Sequence, residues 1–161
     1  MSQSKKSGGN GSDSMPINTA QKLQPKDFVH LHNHSQYSLV DGLTKVPDLV
    51  EWVKDTGMTA VAITDHGTMS GAIEFYKAAH SANIKPIIGM ETYVAARKHT
   101  DKDPTKDKTP MHLILLAMNN EGYQNLMQLS TIANLEGFYY RPRVDHDLLE
   151  RYNKGLIVLS G

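Results

Sequence analysis

The chain has 161 residues, eight histidines, no cysteine, and 17 basic against 17 acidic residues. That length allows one domain with a real hydrophobic core. The missing cysteine excludes a disulfide framework and thiolate metal sites, and the zero net charge excludes nucleic-acid binding by bulk charge, so any such partner must meet a local site.

No apolar run approaches the roughly 18 residues of a membrane span, and the N-terminus lacks the apolar segment of a secretory signal. A cytoplasmic protein without membrane attachment is expected. Residues 1–27 are rich in Ser, Gly, Asn, Gln and Lys and have almost nothing to bury, which predicts a disordered tail. The folded region is expected over 28–161.

Phe28 to His32 alternates in character as a strand does. Thr44 is then a candidate cap for a helix with Pro47 in its first turn that ends at Gly57. Val46, Leu49, Val50 and Val53 recur at i, i+3, i+4 and i+7, one face of that helix. Thr59–Thr64 is a short apolar strand. A helix from about Met69 to Ala82 is predicted to turn Ile73, Tyr76 and Ala79 inward. Lys85-Pro-Ile-Ile-Gly89 opens a strand reaching Val94, and the charged, proline-containing stretch 97–110 reads as an exposed loop. His112–Ala117 is a further strand and Asn120 to about Asn134 a helix. Asp145 can cap a short helix, and Gly155–Leu159 is the last strand. Repeated β-α units with apolar strands predict an α/β fold on a parallel sheet. The chain stops at a buried strand, so the sheet is expected to continue beyond Gly161.

The residues suited to chemistry gather near the strands. His32 and His34 are two apart, so on a strand both imidazoles face one side; His30 shares that parity and reads as a core or supporting histidine. Asp65-His66 follows an apolar strand and Gly67 turns the chain. Glu91 is a carboxylate in apolar surroundings, expensive there unless paired or metal-bound. His112 begins a strand. Asp41 precedes Gly42, a pair that also serves as a plain turn. Together these imidazoles and carboxylates suit Zn²⁺, Mn²⁺ or Fe. A cluster of such ions activates a bound water against a phosphate ester, with no separate catalytic side chain required. His80, His99 and His146 are expected to face solvent. Arg141 and Arg143, interleaved with Tyr139 and Tyr140, suit contacts to DNA or equally a structured loop with ion pairs.

Several stretches resemble the PHP (polymerase and histidinol phosphatase) domain: Phe28-Val-His-Leu-His-Asn-His-Ser35, Tyr37-Ser38, Asp41-Gly42, Ile63-Thr-Asp-His-Gly67, Lys85-Pro-Ile-Ile-Gly89 with Glu91, His112-Leu113, Glu121-Gly-Tyr123 and Glu136-Gly-Phe-Tyr-Tyr140. The form that opens bacterial replicative polymerases is the one matched. The resemblance implies part of a distorted seven-stranded β/α barrel with up to three ions, Zn, Mn, Mg or Fe, at the C-terminal ends of its strands. It assigns His32, His34, Asp41, His66, Glu91 and His112 as ligands, and on the residue reading Asp65 and His30 are expected behind them. It implies 3′–5′ proofreading on a DNA 3′ end, with the other polymerase domains and replisome subunits such as the sliding clamp as partners. A metal-stabilised structural module and a small-molecule PHP phosphatase are the alternatives. The family pattern continues past Leu159-Ser-Gly161 with a further ligand, often cysteine, and a later Asp-x-His pair. This stretch by itself is therefore expected to bind metal weakly and hydrolyse DNA poorly.

Overall fold

The computed structural model describes residues 22–39 and 41–160. Residues 1–21 of the expected tail lie outside that range, and Pro25–Asp27 within it forms a single 3₁₀ turn. Helix α1 spans Val46–Asp55, β1 Ala60–Ile63, α2 Ala72–Ser81, β2 Lys85–Val94, β3 Met111–Ala117, α3 Asn120–Leu135, β4 Arg143–Val144, α4 His146–Arg151 and β5 Leu156–Ser160.

Strands run in the order β1-β2-β3-β5, with β4 beside the far half of β2. The sheet is mixed rather than parallel: β1 and β4 run parallel to β2, whereas β3 is antiparallel to both β2 and β5. The cause is the connection 95–110. It holds no helix, and a parallel return requires a helical crossover, whereas a loop permits the strand to come straight back. The reversal brings the start of β3 beside the end of β2, pairing His112 with Tyr93.

Two layers follow from the side-chain parity. Val61 and Ile63 of β1 face α1 and α2, packing with Val46, Leu49, Val50, Val53, Phe75 and Ala79. Met90, Val94 and Leu115 face α3, against Leu126, Leu129 and Ala133. On the opposite face Ala62, Ile114 and Leu116 form a smaller cluster. The apolar stripe of α1 is buried as its spacing predicts, but its cap comes from elsewhere. Thr44 is not the cap; Lys45 occupies that position without a side-chain bond, and the Gln36 side chain accepts from Val46 N–H instead. Ile73 and Tyr76 of α2 face outward at 57% and 51% exposure, contrary to expectation, because Ala72, Phe75 and Ala79 form the buried stripe. Asp145 caps α4 as expected, accepting from Leu148 N–H.

Residues 28–34 form no regular strand. The segment runs beside β1 through two backbone bonds, Ala62 N–H to His30 O and Thr64 N–H to Asn33 O. Asn33 bridges the irregularity, its amide donating to the carbonyls of both His30 and Ala62.

Candidate metal centre

Glu91 is the hub. It sits inside β2, on the face opposite α3, with its side chain 3% exposed. Its Oε2 lies 2.6 Å from His32 Nε2 and 2.6 Å from His34 Nε2, while the two ring nitrogens are 3.1 Å apart. Its Oε1 contacts His112 Nδ1 and stands 3.5 Å from His66 Nδ1. His66 Nε2 in turn lies 3.1 Å from Asp41 Oδ2, which is 3.9 Å from His34 Nδ1. All six expected ligands thus meet, as three overlapping groups: His32-His34-Glu91, His34-Asp41-His66 and His66-Glu91-His112. The ligand atoms within each group lie within 4.8 Å of one another.

Local structure explains the convergence. Gly67 has φ +61, and a Cβ there would meet Pro142 Cγ at 2.4 Å, so the turn that aims His66 needs glycine. Gly67 N–H donates to Glu91 O and Glu91 N–H to Asp65 O, which ties the His66 turn to β2. Asp65 is buried and does not reach the rings. It accepts from Ser35 N–H, Ser35 Oγ and Ser38 Oγ, and so anchors the loop that carries His34 and Asp41. His112 stands at the start of β3 rather than at a strand's C-terminal end, because β3 runs antiparallel. His30 is not brought to the cluster; its ring packs on Phe28 and Trp52.

The donor set fits divalent cations. Two N–H groups cannot both point at Oε2 from nitrogens 3.1 Å apart without crowding their hydrogens. Three lone pairs around an ion avoid the conflict, since tetrahedral ligands on roughly 2 Å bonds lie about 3.3 Å apart. The buried Nδ1 of His66 has no hydrogen-bond partner, although it lies 3.5 Å from Glu91 Oε1. Burial pushes the Glu91 carboxyl upward, but the hydrogen bonds of His32 and His34, the nearby His66 and the bond to His112 outweigh it and hold Glu91 below its ordinary value. The anionic carboxylate needed for a metal is therefore favoured. His32, Asp41 and His112 are about half exposed, so the centre opens to solvent. It borders a cavity of about 490 Å³ that also takes in Tyr93 and Arg141.

The model of the PHP domain matches residues 30–161. The chain belongs to the PHP family. Relatives named DNA polymerase III subunit alpha are 53% identical over 134 residues in Borreliella burgdorferi, 50% over 141 in Aquifex aeolicus and 51% over 138 in Thermus aquaticus. These alignments take in 83–84% of the chain, which spans 11–12% of those relatives' length. Among solved structures, an amidohydrolase from Chromobacterium violaceum is 21% identical with a TM-score of 0.48, over 65% of this chain and 32% of that one.

Two histidine and arginine readings change in this PHP chain. His99 does not face solvent: its side chain is 15% exposed, with Nδ1 2.6 Å from Asp145 Oδ2. Arg143 is fully buried and donates to the carbonyls of Gly137, Asp107, His99 and Asp101 at 3.0, 3.1, 2.8 and 2.7 Å. It is a structural cation that ties loop 95–110 to β4 and is closed to DNA. Arg141 is exposed beside the cavity. Sequence reasoning missed Tyr93, whose ring stacks on His66 at 5.7 Å and meets His112 edge-on. Its signal was available, because it lies two residues from Glu91 on the same strand face.

Proposed function

We propose that this chain is the N-terminal part of the PHP domain of a DNA polymerase III alpha subunit. Its metal centre hydrolyses phosphodiester bonds at DNA 3′ ends, as a 3′–5′ proofreading exonuclease. The observation that carries the reading is the meeting of all six expected ligand side chains in three groups linked through Glu91, His34 and His66, in a chain about half identical to such subunits over the aligned residues. Its partners on this reading are the DNA 3′ end, the remaining polymerase domains and the sliding clamp, in the cytoplasm.

His32, His34 and Glu91 would hold one ion, His34, Asp41 and His66 a second, and His66, Glu91 and His112 a third, with Zn, Mn, Mg and Fe all compatible with the donors. When bound, such ions supply Lewis acidity and neutralise charge at the phosphate. The chain's own residues do the rest. Glu91, buried and anionic, fixes the rings of three histidines at once. Asp41 holds His66 by its Nε2 from a half-exposed position. Tyr93, backing His66 and His112, keeps water off the inner side of the rings.

A structural role has its own support, since Glu91 links three separate segments (the 30–41 loop, β2 and β3) that an ion would clamp together. Mn²⁺-dependent removal of a 3′ mismatch separates the two readings. In the polymerase carrying this chain, His66→Ala should lower that activity at least about 100-fold and leave primer extension intact. Unchanged mismatch removal would take the centre out of the chemistry and leave the clamp.

A further inference from the structure

Tyr139 N–H donates to Arg141 O at 3.0 Å, and the two residues form an isolated antiparallel bridge, which leaves Tyr140 at the tip of a tight turn. Tyr140 has φ 57, a backbone conformation that bulky residues rarely adopt. The residue is 57% exposed, so core burial does not offset that conformation. The ring meets Tyr139 edge-on at 4.6 Å but enters no core cluster of the described residues, and unusual backbone held outside a core points toward function. Arg141 has no carboxylate partner among the described residues, whereas Arg97 and Arg143 are both engaged. Its guanidinium lies 5.8 Å over the Tyr93 ring, and Tyr93 stacks on His66, so one ring separates this cation from a metal-centre histidine.

The turn also divides two cavities. The first, about 490 Å³, contains Asp41 and His66; the second, about 500 Å³, opens toward Lys108 and Thr109. Tyr93, His112, Tyr140 and Arg141 line both. Lys108 is also free of carboxylates among the described residues and sits 5.7 Å from the Tyr140 ring centroid. Each volume falls in the range of about 300–1,000 Å³ typical of small-ligand sites. A small phosphate monoester needs one such cavity and one cation. A second cavity, a second free cation and an exposed ring on the dividing wall suit a strand that continues past the reacting phosphate.

We infer that the Tyr139–Arg141 turn is the substrate-recognition element of the metal centre. Arg141 takes a phosphate and Tyr140 stacks on a nucleobase, so the preferred substrate is an unpaired nucleic-acid end rather than a small monoester. The inference rests on the hydrolytic reading above and names the residues that select its substrate. Stacking on Tyr140 would tolerate any base, since every base offers a π-face.

The test uses an oligothymidylate with 2-aminopurine at its 3′ end, titrated with and without Mn²⁺, and p-nitrophenyl phosphate as the monoester. Binding should quench the fluorescence. Tyr140→Ala should abolish the quench and weaken binding about tenfold to a hundredfold, whereas Tyr140→Phe should keep both. Arg141→Ala should weaken binding and lower the salt slope by about one, with Arg141→Lys recovering part. KM for the oligonucleotide should rise with these losses, and by a larger factor than KM for p-nitrophenyl phosphate. Should Tyr140→Ala not fold, Tyr140→Asn replaces it, because asparagine tolerates the left-handed backbone. Wild-type-like oligonucleotide binding by both alanine variants, no quench in the wild type, or equal losses on both substrates would overturn the assignment. Oligonucleotide binding that depends on Tyr140 and Arg141, without hydrolysis of either substrate, would support it and defeat the hydrolytic function instead.

Discussion

Glu91 and Arg143 are both fully buried charged residues, but their surroundings give them opposite roles. Glu91 faces four imidazoles, and its Oε2 meets two ring nitrogens that are only 3.1 Å apart. Arg143 faces four carbonyls, each matched by an N–H of its guanidinium. The first is an arrangement that a cation completes, and the second is complete already. Arg143→Ala should therefore cost about 3–5 kcal/mol of stability, since four buried carbonyls lose their donors. Urea unfolding checks this, and oligonucleotide affinity per folded molecule should not change. A loss under about 1 kcal/mol would mean that water substitutes easily. The sequence shows Glu91 plainly, because a carboxylate amid Ile-Ile-Gly-Met-x-Thr-Tyr-Val needs a partner. It does not show the fate of Arg143. Arginine beside tyrosine reads equally as DNA contact or loop structure, and only the path of loop 95–110 decides.

At the scale of elements, α1 is legible from its apolar stripe although Thr44 is not its cap, and α4 from its Asp145 cap. The stripe of α2 was assigned to the wrong side because Ile73 and Tyr76 are as apolar as Phe75 and Ala79. The sheet direction was not legible, since it depends on a connection without a helix rather than on the strands. Nor was the irregular path of 28–34, where Asn33 substitutes side-chain bonds for the ladder. The α4 cap makes a pH prediction. Burial raises the Asp145 carboxyl, but hydrogen bonds from the His99 side chain and backbone and from Leu148 N–H prevail and lower it. A carboxyl lowered on folding contributes stability above its unfolded value of about 3.9, and that contribution is lost as pH falls through the lower folded value. The unfolding midpoint should drop below about pH 4, and Asp145→Asn should flatten that acid limb. An identical acid limb in the variant would assign the effect elsewhere.

At the scale of the molecule, the described sheet has one face under helices and one face that carries both a small apolar cluster and the candidate metal centre. Among the described residues β5 pairs with β3 alone, and Ile157 and Val158 on it are 45% and 52% exposed. Unpaired apolar edges invite pairing with another chain. Sedimentation velocity on these 161 residues should show association that grows with concentration. Val158→Lys should suppress it, and a monomer at every concentration would contradict this.

The six expected ligand side chains come from the 30–41 loop, the turn after β1, β2 and β3, and the reversal of β3 beside β2 brings His112 to the other five. That meeting is the central claim, and anomalous diffraction from crystals grown with Mn²⁺ tests it most directly. Peaks should lie about 2 Å from His32 Nε2, His34 Nε2 and Glu91 Oε2, and at the groups centred on His66. Glu91→Ala should remove the peaks that it shares with His32 and with His112. Anomalous density confined to surface carboxylates, or unchanged in Glu91→Ala, would contradict the account.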